Sequence, residues 1–273
     1  MGDLISRLSL AARYARGRQC RNGGFCFYRH EHLEEPNLFD TWHALKSLDI
    51  LDVEPPRQSA IDGWLEGIDS AALNRAALYY WTFSRRLIRP TWAPDDRVWS
   101  RIEELPLLPP RRAGDLSGPL AGLLHMARLK SAFSHVEPAP LVVAWLHRHH
   151  RGGYGEKPNL QDTARALELL EILGTPDRSD DTREFVESLQ STSWGFNNTL
   201  DSTYCRLGTL LAGVRCCARL GLPVRNVDVI RSIVSSAQRA DGAFADVPGA
   251  LSTLESHHHA LALLKALVAC DQR

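Results

Sequence analysis

The sequence has no surplus of charge of either sign: 32 Lys and Arg balance 32 Asp and Glu across 273 residues. A neutral chain without a basic block offers no electrostatic footprint for nucleic acid, so no nucleic-acid partner is expected. Long hydrophobic runs are also missing. None approaches the roughly 18 apolar residues that begin to suggest a membrane span. The start, Met1-Gly2-Asp3-Leu4-Ile5-Ser6-Arg7, lacks the apolar core of a signal peptide, and a cytoplasmic location is the expectation. The six cysteines do not make a disulfide framework in a chain this long, and reduced, mostly buried thiols are expected. Period-two alternation of β-branched residues is absent, which leaves strands without a signal.

What the chain does have is a repeated phrase. A Gly-aromatic turn leads through a polar connection to a small hydroxyl residue, and then to a Leu/Ala-rich run of helical periodicity. Gly23-Gly24-Phe25 leads to Asp40-Thr41-Trp42-His43-Ala44-Leu45. Gly152-Gly153-Tyr154 leads to Asp162-Thr163-Ala164-Arg165-Ala166-Leu167. Ser193-Trp194-Gly195-Phe196 leads to Asp201-Ser202-Thr203-Tyr204-Cys205-Arg206-Leu207, and Asp241-Gly242-Ala243-Phe244 leads to Ser256-His257-His258-His259-Ala260-Leu261. Self-similarity at a fixed period marks a repeat architecture.

The glycines Gly24, Gly153, Gly195 and Gly242 stand 129, 42 and 47 residues apart. The first interval is three periods of about 43 residues, which hides two units. One begins near Leu65-Glu66-Gly67 and Asp69-Ser70, the other near Gly114-Asp115-Leu116-Ser117. Six units fill residues 1–273 as one all-α domain of paired helices. The apolar periodicity predicts helices over 3–17, 40–51, 57–66, 69–89, 96–105, 115–134, 138–150, 162–173, 181–191, 201–220, 225–239 and 256–270. The first and last units carry the phrase as clearly as the middle ones, whereas an open solenoid needs polar caps. A closed ring is therefore expected, its inner wall formed by helices opening at Asp40, Asp69, Asp115, Asp162, Asp201 and Ser256.

The Gly-aromatic turns Gly23-Gly24-Phe25, Gly153-Tyr154-Gly155, Trp194-Gly195-Phe196 and Gly242-Ala243-Phe244, with the Thr-x-x-Ala-Leu helix starts, give the chain a likeness. It resembles the α/α-toroid superfamily of protein prenyltransferase β subunits and squalene/terpene cyclases. The resemblance implies an (α/α)6 toroid, six inner and six outer helices around an apolar funnel. In prenyltransferase β subunits an Asp and a Cys two residues apart, with a His from the next inner helix, hold zinc. Here those positions are Asp201, Thr203 and His257. A neutral alcohol is a poor zinc ligand beside a thiolate, so no metal or other cofactor is expected; zinc with Cys205 as the displaced thiolate is the lesser alternative. The Asp-x-Asp-Asp acid of class II terpene cyclases is missing, since Asp95-Asp96 and Asp180-Asp181 lie on loop or outer-helix stretches.

The candidate catalytic groups are Asp201 with His257, or with His258 if the helix is rotated: an acid and an imidazole suited to proton transfer near neutral pH. The three consecutive histidines point about 100° apart, so one can face a cavity while another packs on an outer helix. Asp40, His43, Asp162, Arg165, Thr203, Tyr204 and Arg206 are candidate substrate-binding residues at the helix starts, where helix N-termini and arginines attract anions. For Asp40, Asp162 and Asp201 helix capping is the competing reading. The function expected is a biosynthetic enzyme acting on a small substrate with a diphosphate, phosphate or sulfate leaving group, by transfer, elimination or cyclisation. Acid/base ring closure on a polar intermediate is one alternative. A non-catalytic toroid subunit is the other, docking a heterodimer partner through the Pro-rich stretch 90–112.

Overall fold

The structure is a computed structural model that describes residues 2–28, 34–110, 116–134, 136 and 138–270. Among the described residues its regular structure is almost all helix. Twelve α-helices follow one another: α1 Gly2–Gly17, α2 Leu38–Ile50, α3 Gln58–Glu66, α4 Arg75–Ile88, α5 Asp96–Glu104, α6 Ser117–Ser131, α7 Pro140–Arg148, α8 Leu160–Ile172, α9 Asp180–Ser188, α10 Leu207–Leu220, α11 Val227–Ala237 and α12 Leu254–Cys270.

The all-α expectation needs one amendment. Two Gly-aromatic turns close short antiparallel ladders, β1 His150–Arg151 with β2 Gly153–Tyr154, and β3 Gln190–Ser191 with β4 Gly195–Phe196. The turns at Gly24 and Gly242 carry single bridges in the same place, Gln19 opposite Phe25 and Gln238 opposite Phe244. Two-residue ladders are too short for side chains to alternate between faces, so they leave no periodic trace in sequence.

The chain divides into two compact units, residues 1–95 with 231–273, and residues 96–230. In the first unit α2 packs between α12 and α4, with α1 against α2 and α3 against α4. In the second, α8 packs between α6 and α10, with α5 against α6 and α9 against α10. Even-numbered helices thus form a continuous layer within each unit, with α1, α3, α5 and α9 each packed against one of them. The core of the second unit is aliphatic and gathers Leu120, Leu124, Ala127, Leu146, Ala166 and Leu170 around Tyr154.

The repeated phrase has a structural reason. The aromatic residues Phe25, Tyr154, Phe196 and Phe244 are buried at the turns. The Phe25 N–H donates to Thr41 Oγ1 (2.9 Å) and the Tyr154 N–H to Thr163 Oγ1 (3.0 Å). Ser256 Oγ donates to the Phe244 carbonyl at 2.7 Å. The small hydroxyl residue therefore ties each of these turns to the start of the following even-numbered helix, satisfying backbone groups that burial would otherwise strand.

Each turn also leans on a neighbouring odd-numbered helix. A Cβ on Gly23 (φ +110°) would sit 2.1 Å from the Ala60 carbonyl oxygen of α3. The Gly153 turn meets Phe185 of α9, and the Gly195 turn meets Ile230 of α11. The last turn meets the first helix: a Cβ on Gly242 (φ +89°) would lie 2.3 Å from the Leu10 carbonyl oxygen of α1. Gln238 Nε2 donates to the Arg7 carbonyl (2.9 Å) beside it.

Helix starts depart from expectation in a consistent way. α2 begins at Leu38 rather than Asp40, and α8 at Leu160 rather than Asp162. The stretch opened by Asp69 is a single 3-10 turn, Ser70–Ala72, and α4 starts later behind Asn74. The start expected at Gly114-Asp115 falls outside the described residues. The largest shift is at Asp201: α10 starts at Leu207.

Candidate functional site

Two helix starts share one cap. Asn37 precedes α2 and Asn159 precedes α8, and each side-chain oxygen accepts the N–H three residues on, from Asp40 (2.8 Å) and Asp162 (2.9 Å). The Asn amides donate back to Asp40 Oδ2 (2.8 Å) and Asp162 Oδ2 (2.9 Å). This is a capping box with Asn and Asp in the reciprocal roles. The signal lies in the sequence as Asn-Leu-Phe-Asp-Thr and Asn-Leu-Gln-Asp-Thr, where the Asn, not the Asp, is the capping residue. Asp40 also accepts from the Phe27 N–H (3.2 Å), and burial raises its pKa. Asp162 accepts from Ser117 Oγ (2.6 Å) and from Arg165 (2.9 Å). Both carboxylates are committed to the protein.

The first unit brings two of the sequence candidates together. His43 of α2 and His258 of α12 are buried, 4% and 6% exposed, and meet Nδ1 to Nδ1 at 3.0 Å. Two such nitrogens can approach so closely only with one proton between them, because two N–H groups would collide. One ring donates, the other accepts, and an additional proton must enter at an Nε2 atom. The tautomer of one ring therefore fixes that of the other.

Around the pair stands an aromatic wall. Phe39 meets His43 edge-on at 4.4 Å between ring centroids, and Trp42 meets His43 at 4.7 Å and His258 at 5.2 Å. Tyr80 of α4 closes on Phe39 (5.3 Å) and Trp42 (5.5 Å), and His259 lies 5.8 Å from His258. Edge-to-face ring pairs of this kind contribute about 0.5–1.5 kcal/mol each beyond the area they bury, so the wall holds the two imidazoles in a fixed orientation. Trp42 Nε1 is buried without a hydrogen-bond partner. An orphaned buried donor costs about 1–3 kcal/mol.

The other catalytic candidates lie elsewhere. His257 is fully buried between Tyr14 of α1 (5.0 Å) and Phe244 (5.6 Å), with neither ring nitrogen hydrogen-bonded. Burial pushes its pKa down to about 3; the Ala11 backbone opposes this weakly without completing a hydrogen bond. It is a neutral core side chain packed against α1. Asp201 is exposed in the turn before α10, where Thr199 Oγ1 donates to it at 2.7 Å and holds its pKa down. Thr203 and Tyr204 are exposed in the same loop, and Arg206 is the residue just before α10. They occupy a connection rather than the helix start assigned to them. Cys205, the displaced thiolate, is buried with its Sγ 3.5 Å from the Arg206 carbonyl. Among the described residues no three His, Cys, Asp or Glu side chains gather as a metal site.

A charged layer missed by the sequence reading crosses the second unit. Glu168 of α8 accepts from Arg128 of α6 (2.5 Å) and pairs with Arg219 of α10 (3.0 Å). Burial alone would raise its pKa, but Arg128, Arg219 and Arg215 carry it below the usual value. His125, one turn before Arg128, is lowered to about 4 by burial and by Arg128 and Arg165. Four arginines and a neutral imidazole thus share the face of α6, α8 and α10 with Asp162, Glu168 and Glu171. The signal available was the spacing His125/Arg128 and Arg165/Glu168, a helical step of three on each helix. No protein-family model matches the chain, and no curated protein matches it.

Proposed function

We propose that the chain is a small-molecule biosynthetic enzyme of the prenyltransferase/terpene-cyclase-like (α/α)6 toroid type, performing a proton transfer that drives ring closure or elimination. The paired helices support the toroid reading, as do the even-numbered layers within each unit and the seating of the last turn on the first helix. The observation that carries the chemistry is the Nδ1–Nδ1 contact of His43 and His258. A pair that holds one proton and accepts another can deliver it and take it back. Trp42 Nε1 supplies a fixed donor for a substrate oxygen.

A second reading rests on the second unit. The arginines around Glu168 suit a substrate with a phosphate, diphosphate or sulfate group, which would compete with the carboxylates for Arg128, Arg165 and Arg219. One experiment separates the two. Metabolite extracts and a set of prenyl diphosphates are incubated with the purified protein, and consumption is followed by mass spectrometry alongside His43→Ala/His258→Ala and Arg128→Ala/Arg165→Ala variants. Loss of turnover at saturating substrate in the histidine variant supports proton transfer. Turnover equal to the parent's in that variant overturns it. A large rise in KM confined to the arginine variant supports anion recognition.

A further inference from the structure

The first unit holds a half-open cavity of about 1370 Å³ that lies between α1, α11, the far end of α2 and the last turns of α12. Its floor is aliphatic, with Leu8 and Ala12 of α1, Leu51 after α2, and Leu264 and Val268 of α12. Val268 is 57% exposed, a large apolar side chain left open to water. Its rim is basic: Arg13 and Arg16 on α1, Arg231 on α11 and Lys265 on α12. Among the described residues no acid lines it. The chain as a whole carries equal numbers of acids and bases, so this one-signed rim is a local choice.

The cations are also available. Arg13, Arg16 and Lys265 are exposed, and none makes a hydrogen bond or ion pair through its side chain among the described residues. Their places follow from helical spacing. Leu8, Ala12 and Arg16 step by four along one face of α1, and Leu261, Lys265 and Val268 do nearly the same on α12. An apolar floor with a few convergent polar groups at its edge is the form of a small-molecule site. The sign of those groups selects the head of the ligand, and the aliphatic floor selects its tail.

We propose that this cavity binds a long-chain anion, its hydrocarbon chain on the leucines of α1 and α12 and its carboxylate or phosphate head on Arg13, Arg16 and Lys265. The site is separate from the histidine pair and does not depend on its chemistry. The probes are oleate and the uncharged monoolein of equal chain length, titrated calorimetrically below their aggregation concentrations into the full chain. Oleate should bind one to one and at least about tenfold tighter than monoolein. Arg13→Glu/Arg16→Glu/Lys265→Glu should weaken oleate by at least about tenfold, and Ala12→Trp, which fills the floor, should block both probes. His43→Ala/His258→Ala should bind oleate like the parent, which keeps this test independent of the proposed activity. Circular dichroism checks folding, and Lys265→Glu alone with Ala12→Trp decides the matter if the triple variant unfolds. Equal affinity for both probes overturns the proposal, as does charge reversal without effect. Binding to an acidic amphipathic peptide or to phosphatidylglycerol vesicles, with none to monomeric oleate, also overturns it.

Discussion

His43 and His258 share one proton across the contact between α2 and α12, Nδ1 to Nδ1 at 3.0 Å. They lie 215 residues apart in sequence, and the packing of the last helix on the second brings them together. Removing either ring should lower turnover by about two to four orders of magnitude, the usual contribution of a positioned proton-transfer group. The pH profile should change with it, because the contact between the two ring nitrogens is gone. Steady-state kinetics of His43→Ala and His258→Ala across pH 5–9 checks this. Unchanged profiles in both variants would show that the pair is only structural.

The repeat was legible because its elements obey local rules: glycine where the backbone passes close to a helix, an aromatic to bury, and a hydroxyl to bind the turn. The helix starts were less legible. Counting from the glycine turn assumes a fixed connection, yet the connections differ in length, and the third phrase was read six residues early at Asp201. The residue that does align the four helices is the leucine that opens each one, Leu38, Leu160, Leu207 and Leu254. With that register His257 falls level with Thr41 and Thr163, the turn-facing position, and His259 level with His43. The partnership of His43 with His258 depends on how two helices far apart in the chain pack, which no local pattern encodes.

The caps provide a stability test. Asn37→Ala and Asn159→Ala should each cost about 1 kcal/mol, since each loses a bond to the third helical N–H and frees an aspartate from its partner. Asp201→Ala should leave the thermal midpoint unchanged, because its carboxylate is exposed and bonds only to the hydroxyl of Thr199 and the backbone of its own turn. Denaturant melts of the three variants check this ordering. A large loss in Asp201→Ala would mean that the turn before α10 carries more of the fold than its exposure indicates.

His257 ties stability to pH. Its imidazole takes a proton near pH 6.5 when unfolded and only near pH 3 when folded. Between those values the unfolded chain binds more protons, so stability is complete above pH 6.5 and falls as the pH drops toward 3. His125, lowered to about 4, acts in the same direction. Together they should remove a few kcal/mol by pH 4, on the order of the shifts involved. His257→Leu, which keeps the site apolar, should flatten that slope. A parent and variant with parallel stability curves from pH 7 to 4 would show that His257 accepts a proton in the folded state.

The seating of the last turn on the first helix can be weighed against an internal control. Gly242 and Gly249 have similar backbones, φ +89° and +84°, so alanine strains both by about 1–2 kcal/mol. Their surroundings differ. A Cβ at Gly249 meets nothing within 4 Å, whereas one at Gly242 would lie 2.3 Å from the Leu10 carbonyl oxygen and 2.8 Å from Leu10 Cβ. Those atoms belong to the helix itself and cannot swing aside, so α1 must shift, and the Gln238–Arg7 bond beside it is disturbed. Gly242→Ala should therefore destabilise by at least about 1–3 kcal/mol more than Gly249→Ala. Hydrogen exchange should show the added loss in α1 as well as in the turn, because the clash acts on both partners of the contact. If the two substitutions cost the same, and α1 keeps its protection, then α1 does not rest on the last turn and the first and last segments are not locked together there.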